Sequence, residues 1–217
     1  MDLGLNNKVI ILTGGAGSIG EGIVRNLTGE GAIVVIIGRN EPEYRQLQKG
    51  IETTGSTIYI VEAEPGVPSD CAKAVQTIIH KFGRIDGLVN STRVNDENGS
   101  GMNDAGSFLE YLQKKLGHYF LMTHFTLPYL KISKGAIVNI SSVAAESVSG
   151  NTPAYASVNG GLNALTREWA VELLKYGIRV NAVVLMETVA EISNAVAFLL
   201  SEKSSHTTGQ LIRVNGE

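Results

Sequence analysis

The chain has 217 residues, 43% of them hydrophobic, and a formal net charge of -3, which is enough apolar material for one globular domain with a sizeable core. Its lysines and arginines are scattered, which excludes the concentrated basic face that a nucleic acid or an anionic membrane surface requires. No apolar run approaches the roughly 18 residues of a membrane span, and the lone cysteine, Cys71, can form no intrachain disulfide; a soluble, cytoplasmic protein acting on a small molecule is expected.

A first strand is predicted over Val9–Thr13, then a glycine-rich turn and a helix over about Ile19–Glu30. A second strand, Ile33–Ile37, precedes a helix over Pro42–Thr53, and a third, Thr57–Val61, precedes one over Pro68–Phe82. Strand Gly87–Asn90 runs into the polar stretch Ser91–Asp104, "STRVNDENGSGMND", and a long helix over Ala105–Leu130. Strand Ala136–Ile140, helix Thr152–Tyr176, strand Arg179–Val184, helix Val189–Ser201 and strand Leu211–Val214 complete the chain. Several of the short β-branched runs are apolar throughout, as strands buried on both faces are. Their alternation with helical segments predicts an α/β fold, a Rossmann-like, doubly wound parallel sheet of about seven strands with helices on both faces. The polar stretch after Asn90 follows the carboxyl end of a central strand, where ligands bind in such sheets.

Strand "VIILT" leads directly into "GGAGSIG" and a helix, so Gly15, Gly17 and Gly20 fit the G-x-G-x-x-G spacing in its required context. The first glycine permits the tight turn, the second lets the backbone approach a pyrophosphate, and the third lets helix pack on strand. The amides at the helix start, around Ser18 and Ile19, then face the anion. Arg39 stands nineteen residues past Gly20, at the end of the second strand. An acid there binds the adenosine ribose hydroxyls, whereas an arginine meets a 2′-phosphate, so NADP is favoured over NAD as the cofactor.

With these motifs and the strand order in view, the chain resembles the short-chain dehydrogenase/reductase family over nearly its whole length. Thr13-Gly14 with Gly20 matches the ends of that family's TGxxxGxG loop, "FGRIDGLVN" leads to Asn90, and "GAIVNISS" leads to Ser142. Tyr155 follows Ser142 by thirteen residues, as in the family, and "ALTREWAVELLKYGIRVNAV" and "FLLSEKSSHTTGQLIRVNG" match later landmarks. The first of these two looks most like sugar dehydrogenases of the L-fucose dehydrogenase type. The resemblance implies hydride transfer between a nicotinamide cofactor and a secondary alcohol or carbonyl, here of a sugar. Tyr155 is then the acid or base and Ser142 holds the substrate oxygen. It also implies cofactor contacts at Gly14, Gly15, Gly17, Ser18, Ile19, Gly20 and Asn90, a position near the adenine for Glu64, and pairing of the two long helices across a two-fold axis into a homodimer or homotetramer. No metal is implied.

The chain departs from the family pattern at several of these places. Ser18 replaces a glycine, Glu64-Pro65 an aspartate, and Ser91-Thr92-Arg93 an Asn-Ala-Gly. After "RVNAVV", Leu185-Met186 stands where the family has Pro-Gly, and the substrate loop and helices expected next are missing or shortened around 185–187. Four residues after Tyr155 the family has lysine, and this chain has Asn159. An asparagine on the preceding long helix joins that lysine in a proton relay, and its place, thirteen residues before Pro128, is held by Lys115. The two residue types look exchanged, so that Lys115 supplies the positive charge at Tyr155 while Asn159 keeps a ribose or water contact. The alternative for Lys115 is one member of a solvated pair with Lys114. Two functions accordingly stand open, an active oxidoreductase and a catalytically impaired relative serving as a dinucleotide-binding or oligomeric scaffold.

Overall fold

Five apolar or β-branched residues, Val9–Thr13, form β1, buried along its whole length in the interior of the sheet. The computed structural model describes residues 2–15, 17–39, 42–91, 105–147, 152–185 and 189–214. Around β1 stand β2 (Ile33–Gly38), β3 (Ile58–Glu62), β4 (Gly87–Asn90), β5 (Ala136–Ser142), β6 (Arg179–Leu185) and β7 (Leu211–Val214), in the order β3-β2-β1-β4-β5-β6-β7. Every pairing is parallel. The helices are α1 (Ser18–Gly29), α2 (Pro42–Glu52), α3 (Pro68–Phe82), α4 (Ala105–Ser133), α5 (Pro153–Leu173) and α6 (Val189–Leu200). Chain order reverses between β1 and β4, the kind of point at which open α/β sheets bind ligands at their carboxyl edge.

Alternation along each strand divides the core into two layers. Ile10, Leu12, Val34 and Ile36 face α1, α2 and α6, where Ile23, Leu27, Leu47, Ile51 and Val196 cover them. Val9, Ile11, Val35 and Ile37 face the other way, onto Cys71, Val75 and Ile78 of α3, Met122 of α4 and Trp169 of α5. Gly22 lets α1 and α6 approach closely, because a Cβ there would overlap Val189 and lie 2.8 Å from the Ser193 hydroxyl.

A chain of side-chain hydrogen bonds crosses the second layer. Asn90 donates to Asn139 Oδ1 (3.0 Å) and Thr123 Oγ1 (3.3 Å), and Asn139 donates to Thr166 Oγ1 on α5 (3.0 Å). Asn90 and Asn139 are also register partners in the sheet. Ser91 closes the neighbouring gap, its amide donating to Thr13 Oγ1 at 3.0 Å.

Most elements begin and end within a residue or two of expectation. β5 runs two residues further, to Ser142, since Ser141 and Ser142 continue the ladder opposite Val184 and Leu185 despite their polarity. α4 passes through Pro128 and continues to Ser133, and α5 gives way to a 3-10 turn, Leu174–Tyr176, before Gly177 at φ 73°.

Candidate active site

The glycine loop has the shape of an anion cradle. Gly14 (φ 69°) and Gly17 (φ 124°) occupy backbone conformations that favour glycine. A Cβ on Gly15 would stand 3.0 Å from Ile36, and one on Gly20 would lie 2.7 Å from the backbone of Gly15. The first helical bond of α1 runs from the Glu21 amide to the Gly17 carbonyl (2.9 Å), so Ser18, Ile19 and Gly20 precede it with amides that need acceptors beyond the helix. Ser18 is exposed and Ile19 half-buried, packed on the core. A loop held open this way, ahead of a helix N-terminus, fits the pyrophosphate of a dinucleotide.

Arg39 follows the end of β2 and is exposed. Glu64 is also exposed, just beyond β3, where its amide donates to Asp70 Oδ2 at 3.4 Å. Asn90 differs from expectation. Its side chain is fully buried and turned into the sheet, where its amide nitrogen ties β4 to β5 and α4 and its Oδ1 has no partner.

Packing explains how Lys115 and Tyr155 meet. Tyr119 of α4 donates its hydroxyl to the Ile140 carbonyl near the end of β5 (2.7 Å), and its ring packs on Val158 and Leu162 of α5. Both helices run back along the sheet in the same direction, so one turn earlier on each is one turn nearer the carboxyl edge. Those positions are Lys115 and Tyr155. Lys115 Nζ stands 4.6 Å from the centroid of the Tyr155 ring and 5.7 Å from that of Tyr111. It also approaches the Tyr111 hydroxyl at 3.4 Å.

Lys115 is 6% exposed. Lys114, by contrast, sits in solvent and pairs with Glu110 at 2.5 Å, so the two lysines are not a solvated pair. The Lys115 charge is felt nearby: His118, one turn further on α4, is pushed down to about 3, first by burial and then by Lys115. His118 is therefore a neutral imidazole at working pH, with its Nε2 buried and unpartnered.

Tyr155 is the third residue of α5, half-buried, behind Thr152, whose Oγ1 caps the helix by accepting the Tyr155 amide at 3.3 Å, and Pro153 in the first turn. Ser142 ends β5, 9% exposed, its Oγ accepting the Ala144 amide (3.3 Å) at the start of the 3-10 turn Val143–Ala145, which packs against α5. Asn159, for which a ribose or water contact is expected, lies inside the fold. It is 2% exposed and donates to the Tyr155 carbonyl at 2.8 Å, because a short amide one turn along a helix reaches its own i-4 carbonyl.

Arg93 and the rest of the polar stretch 92–104, Ala16 of the glycine loop, and the junction 186–188 lie outside the described residues. The sequence does not single out Tyr111 or Tyr44. Tyr111 stands four residues before Lys115, an i,i+4 spacing that could have revealed it. Tyr44 meets Gly38 only through the fold.

The family model for short chain dehydrogenases matches residues 8–197. L-fucose dehydrogenase of Bos taurus is 31% identical over 177 residues, covering 81% of this chain and 64% of that protein, so the chain spans just under two thirds of that relative's length. Sorbitol-6-phosphate 2-dehydrogenase of Klebsiella pneumoniae is 31% identical over 188 residues, covering 82% of this chain and 68% of that one. Among solved structures, an NADH-dependent reductase complexed with NAD aligns with a TM-score of 0.91 and 26% identity, over 100% of this chain and 98% of that one.

Proposed function

The chain belongs to the short-chain dehydrogenase family, and on that ground we propose that it is an NAD(P)-dependent oxidoreductase interconverting a secondary alcohol and a carbonyl, with a sugar as the substrate class. The observation that carries this is the ammonium of Lys115 over the ring of Tyr155. A buried cation beside a tyrosine stabilises negative charge that develops on the hydroxyl oxygen during proton transfer.

The loop Gly14–Gly20 would hold the pyrophosphate and Arg39 a 2′-phosphate, the feature that favours NADP. When bound, the nicotinamide supplies a two-electron hydride acceptor or donor. In the oxidising direction Tyr155 takes the proton of the substrate hydroxyl, and in the reducing direction it returns one to the carbonyl oxygen. Ser142 donates a hydrogen bond to the same oxygen. Lys115 stabilises the Tyr155 oxygen while it is charged, from α4 rather than from α5, and Tyr111 helps hold the ammonium. Sugar chemistry is supported by the names of the two dehydrogenase relatives.

The competing reading, a relative that binds a dinucleotide without turning over a substrate, is favoured by one observation, the inward-turned Asn159 at the family's lysine position. A panel of sugars and ketones followed at 340 nm, beside a cofactor titration, separates the two. Binding with no turnover of any member would sink the oxidoreductase reading.

A homodimer or homotetramer joined through α4 and α5 is part of the same proposal. Leu109 and Phe120 on α4, with Val171 on α5 and Leu174 just beyond it, expose large apolar side chains, and Phe120 packs toward Trp169 between the helices. Light scattering that found a monomer at micromolar concentration would remove it. Among the described residues no helix is long and apolar enough to cross a membrane. A cytoplasmic setting is supported by the single, reduced Cys71 in the core.

A further inference from the structure

β2 ends on Gly38, a buried residue opposite Glu62 whose carbonyl accepts the Ala63 amide at 3.0 Å. Its backbone is in no left-handed conformation, so main-chain geometry alone would admit another residue. Space does not. A Cβ on Gly38 would overlap the Tyr44 hydroxyl oxygen outright and lie 2.9 Å from Cζ and 3.0 Å from Cε2. Tyr44 belongs to α2, is 4% exposed, and packs in the layer that contains Leu47, Ile51 and Ile58. The ring is held by that packing and cannot swing away without opening the core.

The end of the second strand is where a dinucleotide-binding fold reads the adenosine ribose. A carboxylate there takes the pair of ribose hydroxyls, and its absence, with a cation close by, suits a 2′-phosphate. We propose that Tyr44 is a cofactor-selecting residue: its phenol fills the volume that a carboxylate at position 38 would need, which bars a diol-binding acid and leaves Arg39 to meet an adenosine 2′-phosphate. This rests on the NADP reading above and adds a second element to it. Selection then has two sources, the charge of Arg39 and the bulk of Tyr44.

Tyr44→Leu removes Oη, Cζ and Cε2, the three atoms in the way, while keeping an apolar side chain in the layer. The probes are 2′,5′-ADP and 5′-ADP, titrated calorimetrically, with melting temperature as a reading independent of turnover. Gly38→Asp alone is expected to melt lower than the wild type and gain no affinity for 5′-ADP. Gly38→Asp with Tyr44→Leu is expected to bind 5′-ADP about tenfold or more tighter than Tyr44→Leu alone, the worth of a charge-assisted hydrogen bond. If Gly38→Asp does not fold, Gly38→Ala takes its place, and its melting penalty should shrink from the wild-type background through Tyr44→Phe to Tyr44→Leu. A gain for 5′-ADP in Gly38→Asp with Tyr44 intact, or equal Gly38→Ala penalties in all three backgrounds, would overturn the proposal. Equal wild-type affinities for the two probes would instead strike at Arg39, and the paired substitutions at 38 and 44 still decide the role of Tyr44.

Discussion

Lys115 Nζ lies 4.6 Å from the ring centroid of Tyr155, on a neighbouring helix. At an effective dielectric near 20, a cation about 5 Å from a phenolate contributes roughly 3 kcal/mol before the cost of burying the ammonium, and the ring face adds a cation–π attraction. Removing that contribution from the barrier corresponds to about a hundredfold in rate. Lys115→Ala is expected to lower kcat by up to that factor. Lys115→Asn is expected to do the same, and adding Asn159→Lys to it should restore much of the loss. Unchanged steady-state kinetics in Lys115→Ala would remove the lysine from the mechanism.

Gly20→Ala should damage the phosphate loop. The new Cβ would sit 2.7 Å from Cα, C and O of Gly15, all main-chain atoms that no rotamer change can clear. A loss of about 1–3 kcal/mol in stability is expected, as for overpacking elsewhere, with dinucleotide affinity falling about tenfold or more. Urea denaturation and a fluorescence titration with NADPH measure the two effects; an unaltered dissociation constant would show that the cofactor does not use this loop.

At position 39 the expected change is in preference. A bidentate contact between arginine and a 2′-phosphate is worth about 1.5–3 kcal/mol, so wild-type protein should bind NADP(H) at least about tenfold more tightly than NAD(H). Arg39→Asp should reverse the order. If the two cofactors bind alike before and after the change, Arg39 stands outside the site.

His118 makes stability depend on acidity. Its folded pKa is pushed down to about 3 by burial and by Lys115, while in the unfolded chain it lies near 6.5. The sign follows: the stabilisation is complete above about 6.5 and is lost as pH falls toward 3, because the unfolded chain takes a proton that the folded one refuses. The slope reaches at most about 1.4 kcal/mol per pH unit. His118→Gln, which cannot titrate, should show a flatter fall in melting temperature between about pH 6 and 4. Parallel curves for the two proteins would mean that His118 is protonated in the native state.

How much was legible in the sequence depended on whether the deciding contact was local. The strands show because their interiors are buried on both faces and so are apolar without interruption, as in Val34–Ile37. β5 continues past its apolar run because Ser141 and Ser142 are fixed by hydrogen bonds to β6, which hydropathy does not register. The glycine loop is visible because its constraints act within a few residues. Lys115 could be singled out only by counting along α4 against a family pattern, and its burial depends on Tyr155 from another helix. Tyr44 was invisible for the same reason, since its partner Gly38 lies on a separate element and glycine leaves no trace of what fills the space above it. For Asn90 the family pattern pointed at the cofactor, whereas the side chain answers to Asn139 and Thr123.

That asparagine bears on structures the chain avoids. Parallel strands rich in valine and isoleucine can slide past one another with little change in hydrophobic contact, so their backbone ladder is a weak judge of alignment. A slip of one residue between β4 and β5 would turn Asn90 and Asn139 to opposite faces of the sheet, breaking the hydrogen bond between them. An unsatisfied buried amide costs about 1–3 kcal/mol, and the slipped sheet would carry that penalty. Asn90 and Asn139 thus favour the correct alignment over a slipped one, because only the correct one joins them to each other and, through Asn139, to Thr166 on α5.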